Sequence, residues 1–553
     1  MGLGQKSIKI NGADCGVEAL ILGWVTAMGG FLFGYDTGQI SGMLIFNDFR
    51  RRFATGELDD EGIPEWVSIT QSLMVSLMSL GTLIGALSGA YTADAWGRRR
   101  SLSFGVAIFI IGNIIQITAM NSWIHMMMGR FVAGLGIGNL SVGVPMFQSE
   151  CSPREIRGAV VASYQLLITF GILISNILNY GVRTIQDDDA SWRIVIGLGI
   201  FFSLPLGIGI LFVPESPRWL GARGDWDGAR MSLARLRGLK HDPSNRLIER
   251  DFVEMRDVIE TEHSVGTGTW AECFTGGGGS KGIPKIVYRT FLGIALHFAQ
   301  QWTGVNYFFY YGATVFKSAG IEDPIQTQLI LGAVNVLCTF WGLYVVEKFG
   351  RRLPLIVGAF WQAAWLAVFA SVGTALPPET NSTTGIVMIV SACMFIASFA
   401  STWGPIAWVV IGETFTLRTR AKQASLATAG NWLGNFLLSL LTPPATAGIS
   451  FKFGYVFTAC NVAGGLLVYF FLYESRMLSL ENVDRMYGEP NVKPWNSKKW
   501  TPPGYLTRKQ RDDSSTGVGT DDEAVAHTRE KTGTPDVPSE QRHEQAGDNT
   551  TRV

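Results

Sequence analysis

Residues 66–100 read WVSITQSLMVSLMSLGTLIGALSGAYTADAWGRRR, a run with no Asp, Glu, Lys or Arg through Ala93, followed by Asp94, Gly97 and three arginines. A helix crossing the roughly 30 Å hydrocarbon core of a bilayer needs about 20 mostly apolar residues, and this run supplies them. The arginines at its end are the cations that hold a loop on the cytosolic side. Ten further charge-free runs occur at 101–129, 131–149, 158–182, 194–214, 290–316, 324–346, 353–378, 380–412, 423–451 and 453–473, and 19–47 joins them with only Asp36 inside. The pattern predicts twelve helices, near 19–46, 67–93, 101–120, 124–146, 158–180, 192–213, 288–316, 326–346, 353–374, 386–411, 423–443 and 453–473.

Composition agrees. Of 553 residues, 47% are apolar and 16% charged, against about 25% charged in soluble domains. Segments 215–289 and 474–553 hold 49 of the 90 charges, so the remaining residues cannot clothe a soluble surface. A soluble enzyme, a disulfide scaffold and a disordered chain are excluded. The net charge of zero gives no hint of a nucleic-acid partner. Six cysteines (15, 151, 273, 338, 393 and 460) show no paired spacing and read as free thiols. No motif has metal-ligand or nucleophile–base spacing, so neither an enzyme nor a cofactor or metal is implied.

Loop charges set the orientation. With a cytosolic N-terminus, short inner loops carry Arg98–Arg100, Arg154, Arg157, Lys348, Arg351, Arg352, Arg418, Arg420 and Lys422, while outer loops carry Arg50–Arg52, Arg183, Lys317 and Lys452. The first 18 residues show no signal-peptide pattern, so the first span is expected to act as the targeting signal. Both termini are expected in the cytosol, with the Asn381 sequon outside and open to glycosylation.

Three patterns occur twice. Gly97-Arg98-Arg99 returns as Gly350-Arg351-Arg352, Glu150 with Arg157 as Glu413 with Arg420, and Glu215-Ser216 near Arg218 as Glu474-Ser475-Arg476. The offsets of 253, 263 and 259 are nearly constant. They predict two six-helix halves, 19–214 and 288–473, joined by a cytosolic linker at 215–287 with short helices. The flanks are a cytosolic N-terminus at 1–18 and a cytosolic tail at 474–553, largely disordered beyond about 490. Parallel repeats of this kind are a transporter architecture with the substrate site near the midplane. Singly, each arginine reads as a cytosolic anchor. Recurring together, Asp94, Arg98, Arg99, Glu150, Arg157, Glu215, Arg218, Glu347, Arg351, Arg352, Glu413, Arg420 and Glu474 suggest ion pairs between helix ends that hold the cytosolic side shut in one state and release it in another.

These motifs, with Pro214-Glu215-Ser216-Pro217-Arg218 and Gln300-Gln301-Trp302-Thr303-Gly304-Val305-Asn306, resemble the sugar porter family of the major facilitator superfamily. Phe33-Gly34-Tyr35-Asp36-Thr37-Gly38 is similar to fungal hexose transporters in particular, and Gly129-Arg130, Pro145 to Glu150 and Gly404-Pro405 with Trp408 also match. The likeness runs over about residues 19–490. It implies an all-α polytopic membrane protein with the major facilitator fold, carrying a monosaccharide, glucose or a related hexose, across the plasma membrane by alternating access. Ala90, Ala95 and the sequence Glu474-Ser475-Arg476-Met477 depart from the family pattern.

A hexose is neutral and covered in hydroxyls, with apolar C–H faces. Its site needs uncharged amides that donate and accept and an aromatic plate. Gln300, Gln301 and Asn306 place three amides in seven residues of span seven. Gly304 between them permits a break, and discontinuous helices line transporter sites. From the resemblance, Gln165, Asn335, Trp408 and Asn431 join the substrate site, with Phe33 and Phe399 as walls. Taken singly, a membrane Asn or Gln reads equally well as interhelical glue.

Two charges stand at depth, Asp36 in span one and Arg130 in span four. An intramembrane charge is a functional hypothesis by default, and a pair that separates as the protein rocks would gain and lose a proton. The expectation is proton symport, with facilitative uniport as the alternative. A transporter-like sugar sensor shares every motif. The linker stretch Trp226–Leu239 is amphipathic and predicts a short helix.

Overall fold

The computed structural model describes residues 7–10, 13–152, 157–239, 245–265, 268–276, 285–319, 323–376, 382–416, 419–476, 478 and 480–501. Asn381 lies outside them, and so does the side chain of Arg157. A two-stranded antiparallel hairpin, β1 (Ser7–Ile10) and β2 (Ala13–Gly16), leads into α1 (Val17–Met43). Everything else regular among the described residues is helical. After the short α2 (Asn47–Phe53) come α3 (Ser68–Trp96), α4 (Arg98–Ile117), α5 (Trp123–Cys151), α6 (Arg157–Val182) and α7 (Ala190–Gly209). The linker holds α8 (Pro217–Ala222), α9 (Trp226–Leu236), α10 (Arg246–Val265) and α11 (Trp270–Thr275). Then follow α12 (Ile286–Gln301), α13 (Val305–Ser318), α14 (Pro324–Phe349), α15 (Arg352–Ala375), α16 (Ser382–Ser401), α17 (Trp403–Thr414), α18 (Arg420–Ile449), α19 (Phe453–Phe471) and α20 (Leu480–Gly488).

Among the described residues, ten helical stretches are long and apolar enough to cross a membrane. Twelve crossings are reconciled with ten in two places. The predicted helix 288–316 is two pieces, α12 and α13, neither long enough alone, and α18 and α19 run together as one stretch, 422–471. The break in span seven falls at Trp302–Gly304. Gly304 takes the left-handed conformation at φ 98°, and a Cβ there would lie 2.8 Å from the Phe457 ring. Broken backbone inside a membrane must find new partners. Thr303 Oγ1 donates to the Gln300 carbonyl at 2.7 Å, and Asn461 Nδ2 donates to the Thr303 carbonyl at 2.9 Å. Span ten, predicted as one helix over 386–411, also breaks, at Thr402. Pro405 accounts for it, because its ring clashes with the carbonyl four residues earlier, that of Ser401.

Large apolar side chains cover the outside, and many polar ones are buried within the apolar core. Trp24, Phe201, Phe212, Leu337 and Ile386 are all more than half exposed, whereas Ser76, Gln116, Arg130, Asn139 and Asn461 are buried. That inversion is what a lipid-facing surface demands. Helices α3 and α5 touch through glycines, since a Cβ on Gly81, Gly85, Gly134 or Gly138 would lie 2.2 Å from a facing carbonyl oxygen. Helix pairings recur across the chain: α3 packs on α5 as α14 on α16, α4 on α5 as α15 on α16, α4 on α7 as α15 on α19, and α1 on α6 as α12 on α18. Residues 19–214 and 288–473 meet through α3 with α18, α6 with α14, and α1 with α13.

In the linker, α9 begins at Trp226 as the amphipathic pattern predicts and packs Ala229 against Phe252, Met255 and Ile259 of α10. Past 473 the chain stays folded. Val483, Met486 and Tyr487 of α20 are buried, and Ser497 Oγ accepts from the Glu474 amide at 2.9 Å. Among the described residues, Pro494–Lys499 adds a short 3-10 helix.

Candidate functional site

The breaks in spans seven and ten flank one cavity, which residues on both sides of each break line. Gln165, Gln300, Gln301, Asn306, Asn335, Trp408, Phe33 and Phe399 line it, with Thr37, Ile168, Ile172, Val305 and Phe309. Residues 19–214 and 288–473 both contribute. Gln301 and Asn306 lie more than a helical turn apart in sequence, yet the break lets Asn306 Nδ2 donate to Gln301 Oε1 at 2.7 Å. Asn431 does not line the cavity. It stands behind the amides, accepting from Gln301 Nε2 at 2.9 Å and donating to Gln300 Oε1 at 2.7 Å.

Counting hydrogens shows what faces the cavity. Gln300 spends both amide hydrogens on the carbonyls of Trp403 (2.8 Å) and Gly404 (3.1 Å). Gln301 keeps one N–H, and Asn306 keeps one N–H and its carbonyl oxygen. From α14, Asn335 adds an amide whose Oδ1 is buried without a partner, an open acceptor. Trp408 is held edge-on by His297 (centroids 4.7 Å apart) and Tyr164 (6.0 Å), so its ring is a fixed plate. The set suits a neutral polyhydroxylated molecule with an apolar face.

Some of these residues escaped the sequence reading. Ile168 and Ile172 lie three and seven residues after Gln165, on its helical face, so periodicity alone would have found them. His297 lies one turn before Gln301 and is fully buried; a lone histidine in an apolar run carried no other signal.

Asp36 and Arg130 do approach each other. Their side chains are 3.6 Å apart, Asp36 Oδ2 to Arg130 Nη2, and both are essentially unexposed. Gln39 Nε2 donates to Asp36 Oδ1 at 2.7 Å, and Arg130 Nη2 lies 3.3 Å from the Met78 sulfur. Arg130 Nε and Nη1 have no partner. A loose pair with unspent donors is less than an optimal buried ion pair requires.

The repeated charges form two copies of one cluster. Arg98 grips Glu150 with Nε (3.0 Å) and Nη2 (2.8 Å) and reaches Asp94 at 3.1 Å. Arg351 grips Glu413 with Nε (3.0 Å) and Nη2 (2.6 Å). Glu215 accepts from the backbone N–H of Arg98 and Arg99, as Glu474 does from Arg351 and Arg352. Burial pushes the Glu215 carboxyl above its ordinary pKa, against the pull of these N–H donors. Serine hydroxyls complete each copy: Ser216 donates to Glu150 Oε2 at 2.5 Å and Ser475 to Glu413 Oε2 at 2.7 Å. Arg99 and Arg352 cap carbonyls of α7's end and α19. Arg420 donates to the Phe415 carbonyl, Glu347 is exposed beside Arg351, and Arg218 is half-buried on α8. Each cluster ties helix ends together within its own set of six spans. Among the described residues, none of these ion pairs joins one set to the other.

Residues 22–487 match the family described as "Sugar (and other) transporter". A high-affinity glucose transporter of Schizosaccharomyces pombe is 39% identical over 94% of this chain and 96% of its own length. A high-affinity fructose transporter of the same yeast is 40% identical over 85% of this chain and 87% of its own. Among solved structures, a proton:xylose symporter bound to 6-bromo-6-deoxy-D-glucose superposes with a TM-score of 0.70 at 25% identity, covering 85% of this chain and 99% of that one. The amide-lined cavity, the twice-built charge clusters and these relatives agree: the chain is a multi-pass membrane protein that belongs to the sugar transporter family.

Proposed function

We propose that the protein carries a hexose across the plasma membrane by alternating access, in symport with a proton. The observation that supports it most is the cavity itself, in which uncharged amides surround a fixed indole plate between residues of 19–214 and of 288–473. Gln165, Gln301, Asn306 and Asn335 take the sugar hydroxyls and Trp408 takes a C–H face. Gln300 and Asn431 hold those amides from behind. The residues 19–214 and 288–473 form two bundles that rock about this cavity, with both termini and the charge clusters in the cytosol. Hexose rather than another sugar is favoured by relatives named for glucose and fructose, about 40% identical along most of the chain.

For coupling, Asp36 takes a proton when rocking draws it from Arg130. The loose 3.6 Å contact favours a pair that separates. Expressed in a yeast strain stripped of its own hexose carriers, the protein takes up labelled glucose, and unlabelled hexoses compete better than pentoses. Uptake falls when a protonophore collapses the gradient. Sugar-dependent signalling without uptake would overturn the transport reading, and uptake indifferent to protonophore would leave a uniporter.

A further inference from the structure

His297 has no role in the function above, yet it is completely buried and touches Trp408, Asn431 and the Ala407 carbonyl. Its ring stands edge-on to Trp408. Its Nε2 lies 3.3 Å from the carbonyl of Ala407, and its Nδ1 lies 3.2 Å from Asn431 Nδ2.

A carbonyl oxygen only accepts, so Nε2 carries the hydrogen. A ring buried this completely is kept neutral by the cost of burying a charge, so with Nε2 protonated Nδ1 offers its lone pair. The ring is therefore the neutral tautomer. That fixes the next group. Asn431 must turn Nδ2 toward His297 and Gln300, which leaves Oδ1 to accept from Gln301 Nε2 at 2.9 Å. Gln301 must then turn Oε1 toward Asn306, which donates at 2.7 Å. Amide orientation is otherwise a free two-fold choice. Here Gln300 constrains it from one side, through its bonds to Trp403 and Gly404, and His297 from the other, through Ala407. Both anchors are backbone carbonyls of the first turns of α17, just after the break in span ten. One hydrogen of Asn431 goes to Gln300; the other is shared between the His297 ring and the His297 carbonyl, 3.4 Å away.

We infer that His297 is a positioning residue for sugar recognition: as a neutral, Nε2-protonated ring it sets which atom Asn431, Gln301 and Asn306 each present, and so the donor and acceptor pattern the cavity offers to the hydroxyls. This rests on the hexose reading of the same cavity. A pocket whose amides flip freely accepts either pattern and tells epimers apart poorly. One with a fixed pattern rejects a misplaced hydroxyl, because a buried polar group then goes unpaired.

The test is labelled-glucose uptake with competition by a panel of epimers and deoxy sugars, on carriers quantified at the cell surface. His297→Leu removes both nitrogens. It should raise the glucose KM about tenfold, the loss of roughly one good hydrogen bond, and narrow the spread of inhibition constants across the panel. His297→Asn, whose short amide can meet Asn431 as Nδ1 does, should hold KM within about threefold of the parent and keep the spread. His297→Gln reaches the Nε2 position instead and should resemble His297→Leu in selectivity. Unchanged KM and spread in His297→Leu would overturn the inference, as would equal behaviour of the Asn and Gln variants. If the parent itself moves no hexose, the function above fails instead, and the two failures are told apart by that control. Should His297→Leu fail to reach the surface, the comparison of the Asn and Gln variants still decides.

Discussion

Within the cavity, the amides do unequal work. Gln301 faces the cavity with a spare N–H while tied to both Asn431 and Asn306. Gln301→Ala therefore breaks the relay and removes a ligand at once, and should raise the glucose KM by tenfold or more, about 1.4 kcal/mol or above. A change at Asn461, which donates to the carbonyls of Thr303 and Phe457, should lower the amount of folded carrier and leave KM alone. Equal KM in Gln301→Ala and parent would remove Gln301 from the site. Asp36→Asn keeps a side chain of the same size but cannot ionise. It should abolish accumulation against a gradient while sparing sugar exchange, and accumulation equal to the parent's would refute coupling through Asp36. The gathering of the span-seven amides at the cavity was legible because three fall within seven residues. The place of Asn431 behind them was not, since lining and buttressing differ by one side chain's reach, which spacing along a helix does not resolve.

Helices α12 and α17 both begin or end at a break, and the breaks make the site. Gly304 holds the first with φ 98° and no room for a Cβ against Phe457. Gly304→Ala imposes a left-handed alanine, about 1–2 kcal/mol, and a clash in addition. It should lower thermal stability in detergent and abolish uptake; a variant that melts and transports like the parent would show that the break is not required. The glycine advertised this break in the sequence. The second is set by Pro405, whose ring acts on the carbonyl of Ser401, four residues upstream, so the helix parts at Thr402 and not at the Gly404-Pro405 pair itself. The repeated charge motifs also act at element ends. The sequence revealed that acids and bases recur, but not which partners they choose. Arg98 takes Glu150 and Arg351 takes Glu413, each inside its own set of spans. Neither of these two pairs joins one set of spans to the other.

Across the whole molecule, residues 19–214 and 288–473 touch differently at the two ends. At the end bearing the charge motifs they meet by close packing of α3 and α18, with Ser425 Oγ donating to the Ala86 carbonyl at 3.4 Å. At the other end, Arg183 pairs with Asp323, the one ion pair between these two sets among the described residues, and stacks on Tyr180 at 3.8 Å. Both partners are about one-third exposed, so the pair is worth at most about 1 kcal/mol. Arg183→Gln should shift the balance toward opening at that end by up to about fivefold. Ser41, which accepts from the Ala313 amide at 3.2 Å across the same junction, offers the probe. The substitution Ser41→Cys should react faster with an impermeant thiol reagent in the Arg183→Gln background, and an unchanged rate would show the ion pair to be idle. Which helices face each other across the cavity was beyond the sequence, because periodicity marks a buried face and not its partner.

Everything above depends on this cavity moving a hexose. Purified protein in proteoliposomes preloaded with unlabelled glucose, with labelled glucose outside, tests it with no cell to confuse transport with sensing. Label should accumulate transiently inside, an effect suppressed by Gln301→Ala and retained by Asp36→Asn. Label that never exceeds the level of empty liposomes, from protein that is folded and inserted, would contradict it.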